Sequence, residues 1–224
     1  MRTIIRGLGE VMITLGLVLL LFVGYQLWWT NIVAHQSAQR VTGEVISQWQ
    51  AAPPPSGPAP AELVDEPADG VPFALITIPR LGDSVSNAPV VQGVSLDILA
   101  EGFGHYPGTA MPGQVGNFAT AAHRATHGEP LRDVDQLQAG DNVYVQTQDY
   151  WYTYRLFRDQ IVDPDAIWVV GARPFPDDPN VPDRLITLTT CNPRWASTER
   201  WAWWGYLAAR QPKSAPPPAM VVNG

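Results

Sequence analysis

An all-β domain behind one membrane-crossing helix is the fold class this 224-residue chain predicts, on three observations. The chain holds 22 Pro and 19 Gly, residues that break helix interiors, which argues against a helical bundle. Between residues 73 and 210 short β-branched or alternating runs are separated by Gly/Pro-rich connections, the pattern of a barrel or sandwich. Ahead of them, Val11–Trp29 runs for 19 residues without a charge.

As a helix, that stretch spans roughly 28 Å, close to the ~30 Å hydrocarbon core of a bilayer. Tyr25, Trp28 and Trp29 close it, in the position where amphipathic aromatics favour the headgroup layer. Arg2 and Arg6 precede it and the next basic residue is Arg40, so the positive-inside rule puts the N-terminus in the cytoplasm and everything after residue 30 outside. A cleaved signal peptide fits less well, because large aromatics stand where a small-x-small site belongs. A buried core helix fits less well still, because the run is apolar on every face. The expected division is a cytoplasmic stub and transmembrane anchor over 1–30, then a juxtamembrane segment and Pro-rich linker over 31–72. Residues 31–50 are read as a helix, and 51–72, with seven Pro, as a semi-rigid spacer.

The folded domain is read as 73–210. Phe73–Ile78 and Pro89–Gln92 are strand runs, with a short helix near Ser95–Gly102. Asn117–His123 is a strand after the Gly-rich loop Pro107–Gly116. Val143–Thr147 and Tyr152–Leu156 alternate about a turn near Asp149 and form a hairpin. Leu185–Cys191 (LITLTTC) is β-branched and Arg200–Leu207 (RWAWWGYL) is aromatic-rich. Residues 211–224 are expected to be a disordered tail.

Charge and cysteine usage narrow the function. With 14 basic against 21 acidic residues, a nucleic-acid partner is not expected. The single Cys excludes an intramolecular disulfide and a Cys-based zinc site. The acidic pairs Asp163/Asp165 and Asp177/Asp178 lack a readable ligand spacing, so no metal and no cofactor are expected.

Cys191 ends a strand-like run, and an odd thiol in an exported domain is either a buried packing residue or a reactive one. A nucleophilic thiol needs a base or a cationic neighbour. His35 lies by the anchor, and His105 and His127 lie in Gly-rich loops, with His127 read as a solvated loop residue. His123 stands at the end of a strand, where a side chain can face a cleft. Arg200 begins the strand that follows Cys191 and can face the thiol across a ladder, where a guanidinium would hold an oxyanion. Arg194, in the intervening loop, is read as exposed.

LITLTTC followed nine residues later by Arg200 resembles the TLxTC…R signature of sortases, the membrane-anchored cysteine transpeptidases of Gram-positive bacteria. GHYPGTAMPGQVGNFATAAHRATHG (104–128) looks like the segment leading to that family's catalytic His. FALITIPRLG (73–82) is similar to its first strand, and PVVQGVSLDILAEGFGHYPGTA follows in order. The style is most like the class E sortases of high-GC Gram-positives. The resemblance implies an eight-stranded sortase-type β-barrel with short helices. It implies a triad of His123, Cys191 and Arg200, with Thr190 lining the substrate groove. Ala122 and Asn192 depart from residues usual beside the His and the Cys, and Asn192 leaves substrate preference open.

The activity so implied is cleavage of an LPxTG- or LAxTG-like sorting signal between Thr and Gly through a thioester. The surface protein is then joined to a cell-wall amine, expected to be a lipid II-like peptidoglycan precursor. The implied place is the cell membrane, single-pass, with the catalytic domain extracellular. One alternative is a pilin-polymerising sortase, in which Asp65-Glu66-Pro67 would anchor a lid; an acidic linker is the plainer reading. Another is an L,D-transpeptidase, whose SxGCxR context is absent here. A non-catalytic, membrane-tethered wall-binding module built on Trp195, Trp201, Trp203 and Trp204 is the third.

Overall fold

The computed structural model describes residues 2–52 and 65–220. Most of the spacer (53–64) and the last four residues of the expected tail lie outside the described residues.

Two helices open the chain without a break. α1 (Arg2–Gly24) buries none of its side chains and is long and apolar enough to cross a membrane. A π turn over Tyr25–Trp29 leads into α2 (Thr30–Ala51). The halves differ because their sequences do: α1 is apolar all round, whereas α2 turns Ala34, Val41 and Val45 to one side and buries them. Val41 and Val45 pack with Leu75, Val91 and Ile98 on the outside of the barrel. Thr42 donates a hydrogen bond to the Asn87 carbonyl (3.1 Å). Residues 31–50 are thus helical and held against the domain, not spaced from it. Of the linker, Glu66 is also docked, accepting from the Gly108 amide (2.8 Å) and the Gln92 side chain (2.5 Å).

Eight strands close into one barrel: β1 (Pro72–Thr77), β2 (Ala88–Gln92), β3 (Phe103–His105), β4 (Gly116–Ala121), β5 (Asn142–Gln146), β6 (Tyr150–Val162), β7 (Arg184–Asn192) and β8 (Glu199–Pro212). The order around it is β1-β2-β3-β4-β7-β8-β6-β5, with β2–β3 and β4–β7 parallel and the other pairs antiparallel. Closure removes the exposed edges that an open sheet would present. The interior holds Phe73, Phe118, Ile186, Leu188 and Trp203 among others. A smaller cluster on the outer face, Val169, Ala202 and Trp204, packs a 3₁₀ turn (Ile167–Val170) against β8.

The expected short helix is α3 (Leu96–Leu99), with the Ser95 hydroxyl capping the Ile98 amide. β3 went unread because three residues carry no periodicity. β6 and β8 extend beyond the expected runs, through register shifts that blur their alternation. Residues 213–220, expected to be disordered, run back along the domain: Lys213 lies over the Trp151 ring at 4.2 Å, and the Tyr144 hydroxyl donates to the Ala219 carbonyl (2.9 Å).

Candidate active site

Three neighbouring strands, β4, β7 and β8, bring the predicted residues to one rim. Antiparallel register sets Cys191 directly opposite Arg200. Parallel register sets Ala121 opposite Thr189, and the Ala122 amide still donates to the Thr189 carbonyl (3.1 Å) after β4 ends. Carried two residues further, that register puts His123 beside Cys191. β4 itself stops at Ala121, short of the expected end at His123, because from there the chain leaves for a loop: the Leu131 amide takes up the His123 carbonyl (3.0 Å).

Strand alternation then sorts the side chains by face. On β7, Ile186 and Leu188 enter the barrel core, so Thr187, Thr189 and Cys191 lie on the outer face. On β8, Trp201 and Trp203 pack with the core, while Ala202 and Trp204 lie outside with Val169, and Arg200 shares their parity. Cys191, Arg200 and His123 therefore belong to the outer face. The inner side of the same rim is closed by polar ties. Arg124, 8% exposed, donates to the Asn192 side chain (2.5 Å) and lies over the Trp201 ring at 5.1 Å. Asn192 donates in turn to Glu199 (2.6 Å).

Cys191 is a free, half-buried thiol. The Arg200 guanidinium is folded back by one nitrogen onto the carbonyls of Ser197 (3.0 Å) and Glu199 (2.9 Å), which leaves its other donors uncommitted among the described residues. The His123 ring has no hydrogen-bond partner among the described residues, so no carboxylate orients it. Burial, and then the charge of His127, whose ring centroid lies 5.4 Å away, hold its pKa below the ordinary 6.5. Thr190, expected to line the substrate groove, lies in β7 beside Cys191 with its side chain buried. It is 4% exposed, and its hydroxyl donates to the Ala122 carbonyl (2.7 Å), fixing the segment that carries His123. His105 is fully buried on β3 with its imidazole bonded to Gln92 (2.8 Å), away from this rim.

Several residues of the site were not read from sequence. Residues 126–129 run through four successive positive φ values, Thr126 at 61°, His127 at 52°, Gly128 at 89° and Glu129 at 48°. Such backbone is costly for residues with a Cβ and persists only where its surroundings hold it. Here the holder is Glu129, 6% exposed, which accepts from Arg194 (2.6 Å) and from the Asn31 side chain. Asn31 also accepts from the Gly128 amide (2.9 Å). One buried carboxylate thus joins the His123 loop, the loop after Cys191 and the start of α2. Arg194, expected to be exposed, is partly buried by this contact. A groove of about 110 Å³ beside Arg200 is lined by Tyr106, Thr189, Ile167 and Val170 among others, and the Tyr106 and Thr189 hydroxyls share a hydrogen bond of 3.0 Å.

Comparison with known proteins identifies the family of the domain. The family model for the sortase domain matches residues 76–208. Sortase E1 of Streptomyces coelicolor is 37% identical over 97% of this chain, which spans 61% of that relative's length. Sortase E2 of the same organism is 35% identical over 89% of this chain and 80% of its own. Among solved structures, sortase E from Streptomyces avermitilis matches with a TM-score of 0.61 at 37% identity, covering 68% of this chain and 99% of that one. Sortase E1 from Streptomyces coelicolor with a tripeptide in the active site matches with a TM-score of 0.63 at 35% identity, covering 68% and 98%. The family match runs from β1 into β8 and so takes in the whole reactive rim: the chain belongs to the sortase family.

Proposed function

We propose that the protein is a single-pass membrane enzyme, its N-terminus cytoplasmic and its barrel outside, that cleaves an LPxTG- or LAxTG-like sorting signal between Thr and Gly. It then transfers the acyl part to an amine of a peptidoglycan precursor. The observation that carries this reading is the Cys191–Arg200 register pair, with His123 two residues beyond the end of the adjoining strand β4.

The chemistry follows from these groups. The Cys191 thiolate attacks the Thr carbonyl carbon. The oxyanion that forms is held by Arg200, whose charge does not titrate in the working range. One of its nitrogens is anchored by the carbonyls of Ser197 and Glu199. The C–N bond breaks as His123, in its imidazolium form, protonates the departing Gly amine, leaving a thioester on Cys191. An amine then displaces the thiolate. The groove beside Arg200 supplies apolar walls from the 3₁₀ turn and the Tyr106 phenol for the peptide. A tripeptide occupies the active site of a sortase E1 structure that this chain resembles, which supports a peptide substrate. The family match and the free thiol at the end of β7 favour this reading over a wall-binding module, and two of the four tryptophans proposed for that platform, Trp203 and Trp204, are buried.

Cleavage of a quenched-fluorescence LAxTG peptide by the full chain in lipid discs tests the reading. Cleavage is expected from the wild type and none from Cys191→Ala. Equal cleavage by both would refute thiol catalysis.

A further inference from the structure

Transfer needs a second substrate, and a second cavity lies on the other side of His123. It has a volume of about 350 Å³ and sits where the anchor meets the barrel. One wall is the helix (Tyr25, Trp29, Val33); the opposite wall is Asp97, Glu101 and His127. Resting on the transpeptidase reading above, we propose that this cavity receives the acceptor, a primary ammonium group carried on a membrane lipid, and passes it by His127 to the thioester on Cys191.

Three observations carry this. First, His127 faces both places: it lines the cavity, and its ring lies 5.4 Å from the ring of His123. Its Nδ1 is engaged by the Thr126 hydroxyl (2.9 Å), so Nε2 is the nitrogen left for a second partner. The loop that carries it approaches the helix closely. A Cβ added at Gly128 would stand 3.3 Å from that of Ala34.

Second, the wall is negative. Asp97 makes no ion pair among the described residues. Glu101 faces Arg40 only at 3.9 Å, and Arg40 is shared with Glu44 at 3.3 Å. An ammonium is drawn to such a wall and a phosphate or carboxylate is repelled, the complementarity an amine acceptor needs.

Third, the cavity lies at the π turn that ends the membrane-crossing helix, beside the aromatics Tyr25 and Trp29, 52% and 56% exposed. Aromatics of this kind settle in the headgroup layer. A π turn inside a helix is often a functional feature. The cavity therefore opens at headgroup level, where a lipid carries its polar group. The sorting peptide occupies the separate groove beside Arg200, so the two substrates approach from different sides.

The step balances. The ammonium first loses a proton to solvent through His127. The neutral amine nitrogen attacks the thioester carbonyl carbon, forming the C–N bond as the C–Sγ bond breaks. Cys191 leaves as thiolate, and the second amine proton passes to neutral His123, which restores the starting pair.

The test uses the full chain in lipid discs, with the quenched LAxTG peptide as donor. Two acceptors are compared: a lipid with a diglycyl head bearing a free amine, and free diglycine in solution. The double variant Asp97→Asn/Glu101→Gln removes the charge and keeps the shape. Its peptide cleavage in the absence of acceptor should match wild type, while transfer to the diglycyl lipid falls about tenfold. Val33→Trp, which fills the cavity from the helix side, should lower lipid transfer likewise without lowering cleavage. Unchanged transfer to the lipid in both variants would overturn the proposal. An equal fall with free diglycine would overturn the lipid source. Absence of cleavage in the wild type would instead count against the transpeptidase reading on which the proposal rests.

Discussion

The barrel is joined to its surroundings in two places, by opposite means. On its flank α2 is held by apolar contact, Val41 and Val45 against Leu75, Val91 and Ile98. At its rim the loops are held by directional polar bonds, Glu129 to Arg194 and Asn31, and Arg124 to Asn192. Apolar burial is strong but has no preferred direction. A hydrogen bond fixes atoms within tenths of an ångström. A docked helix needs only the first; a thiol, an imidazole and a guanidinium on three separate chain segments need the second. The difference predicts that damage at the rim shows in catalysis and damage at the flank shows in stability.

The largest effect is expected at the rim's outer face. Arg200→Ala should lower kcat for peptide cleavage by about 10²–10³, the usual cost of one oxyanion donor, roughly 3–4 kcal/mol. The melting temperature should stay near wild type, since among the described residues the guanidinium bonds only the nearby Ser197 and Glu199 carbonyls. Full activity of this variant would remove Arg200 from the mechanism. Next comes Glu129→Ala, which strands Arg194 and frees the left-handed loop. Breaking a fully buried ion pair costs about 3–5 kcal/mol. Arg194 keeps 25% of its side chain exposed, so a loss of about 2–3 kcal/mol is expected in denaturant unfolding. The same variant should lose kcat more than it raises KM, because the loop also positions His123. If only stability fell, the carboxylate would be a structural tie and the contrast between rim and flank would blur.

On the flank, Val45→Ala removes two methyl-sized groups from a side chain that is 1% exposed. A loss of about 1–2 kcal/mol is expected. Unfolding of the full chain in lipid discs or detergent measures it, and peptide cleavage at low temperature should be unchanged. A fall in kcat without a fall in stability would show that the helix acts on the rim through more than Asn31.

The two places also differ in how far the sequence revealed them. TLTTC and the downstream Arg were readable because alternation in a strand is a local property, and a nucleophile with its partner on adjoining strands leaves a spacing. The sides of Trp201, Trp203 and Trp204 follow from the same period of two. Glu129 was not readable. It lies in a loop, and its partners Asn31 and Arg194 are 98 and 65 residues away, joined only once the barrel has closed. The docking of α2 was hidden for another reason. Its buried Ala34, Val41 and Val45 are small and sparse on an otherwise polar helix, so residues 31–50 read as a helix with no visible docking face until the matching patch of Leu75 and Val91 is assembled from two strands. Thr190 was read as part of the groove because the resemblance says what the residue accompanies. Only the register shows that its hydroxyl is spent on Ala122.

The smallest predicted effect probes the rim's electrostatics. His123 sits below the ordinary 6.5 because burial penalises its charged form and because His127 repels it. At neutral pH most molecules therefore hold it neutral, and the imidazolium needed to expel the Gly amine is the minor form. His127→Ala removes the second cause and leaves the first. The limb of the pH–kcat/KM profile set by His123 should move up, toward but not as far as 6.5. Read on peptide cleavage without acceptor, the shift is independent of amine delivery. Stability supplies a second reading with the same sign. Between the folded and unfolded pKa the unfolded chain binds more protons, so stability is fully present above 6.5 and is lost as pH falls through the folded value. With the pKa raised, that loss should shrink in His127→Ala, measured as a smaller drop in melting temperature on acidification. Val45→Ala lowers stability at every pH and should leave the limb where it is. A shift of the limb in Val45→Ala as large as in His127→Ala would mean that the flank sets the charge state of the rim, and the division between the two joints would fall.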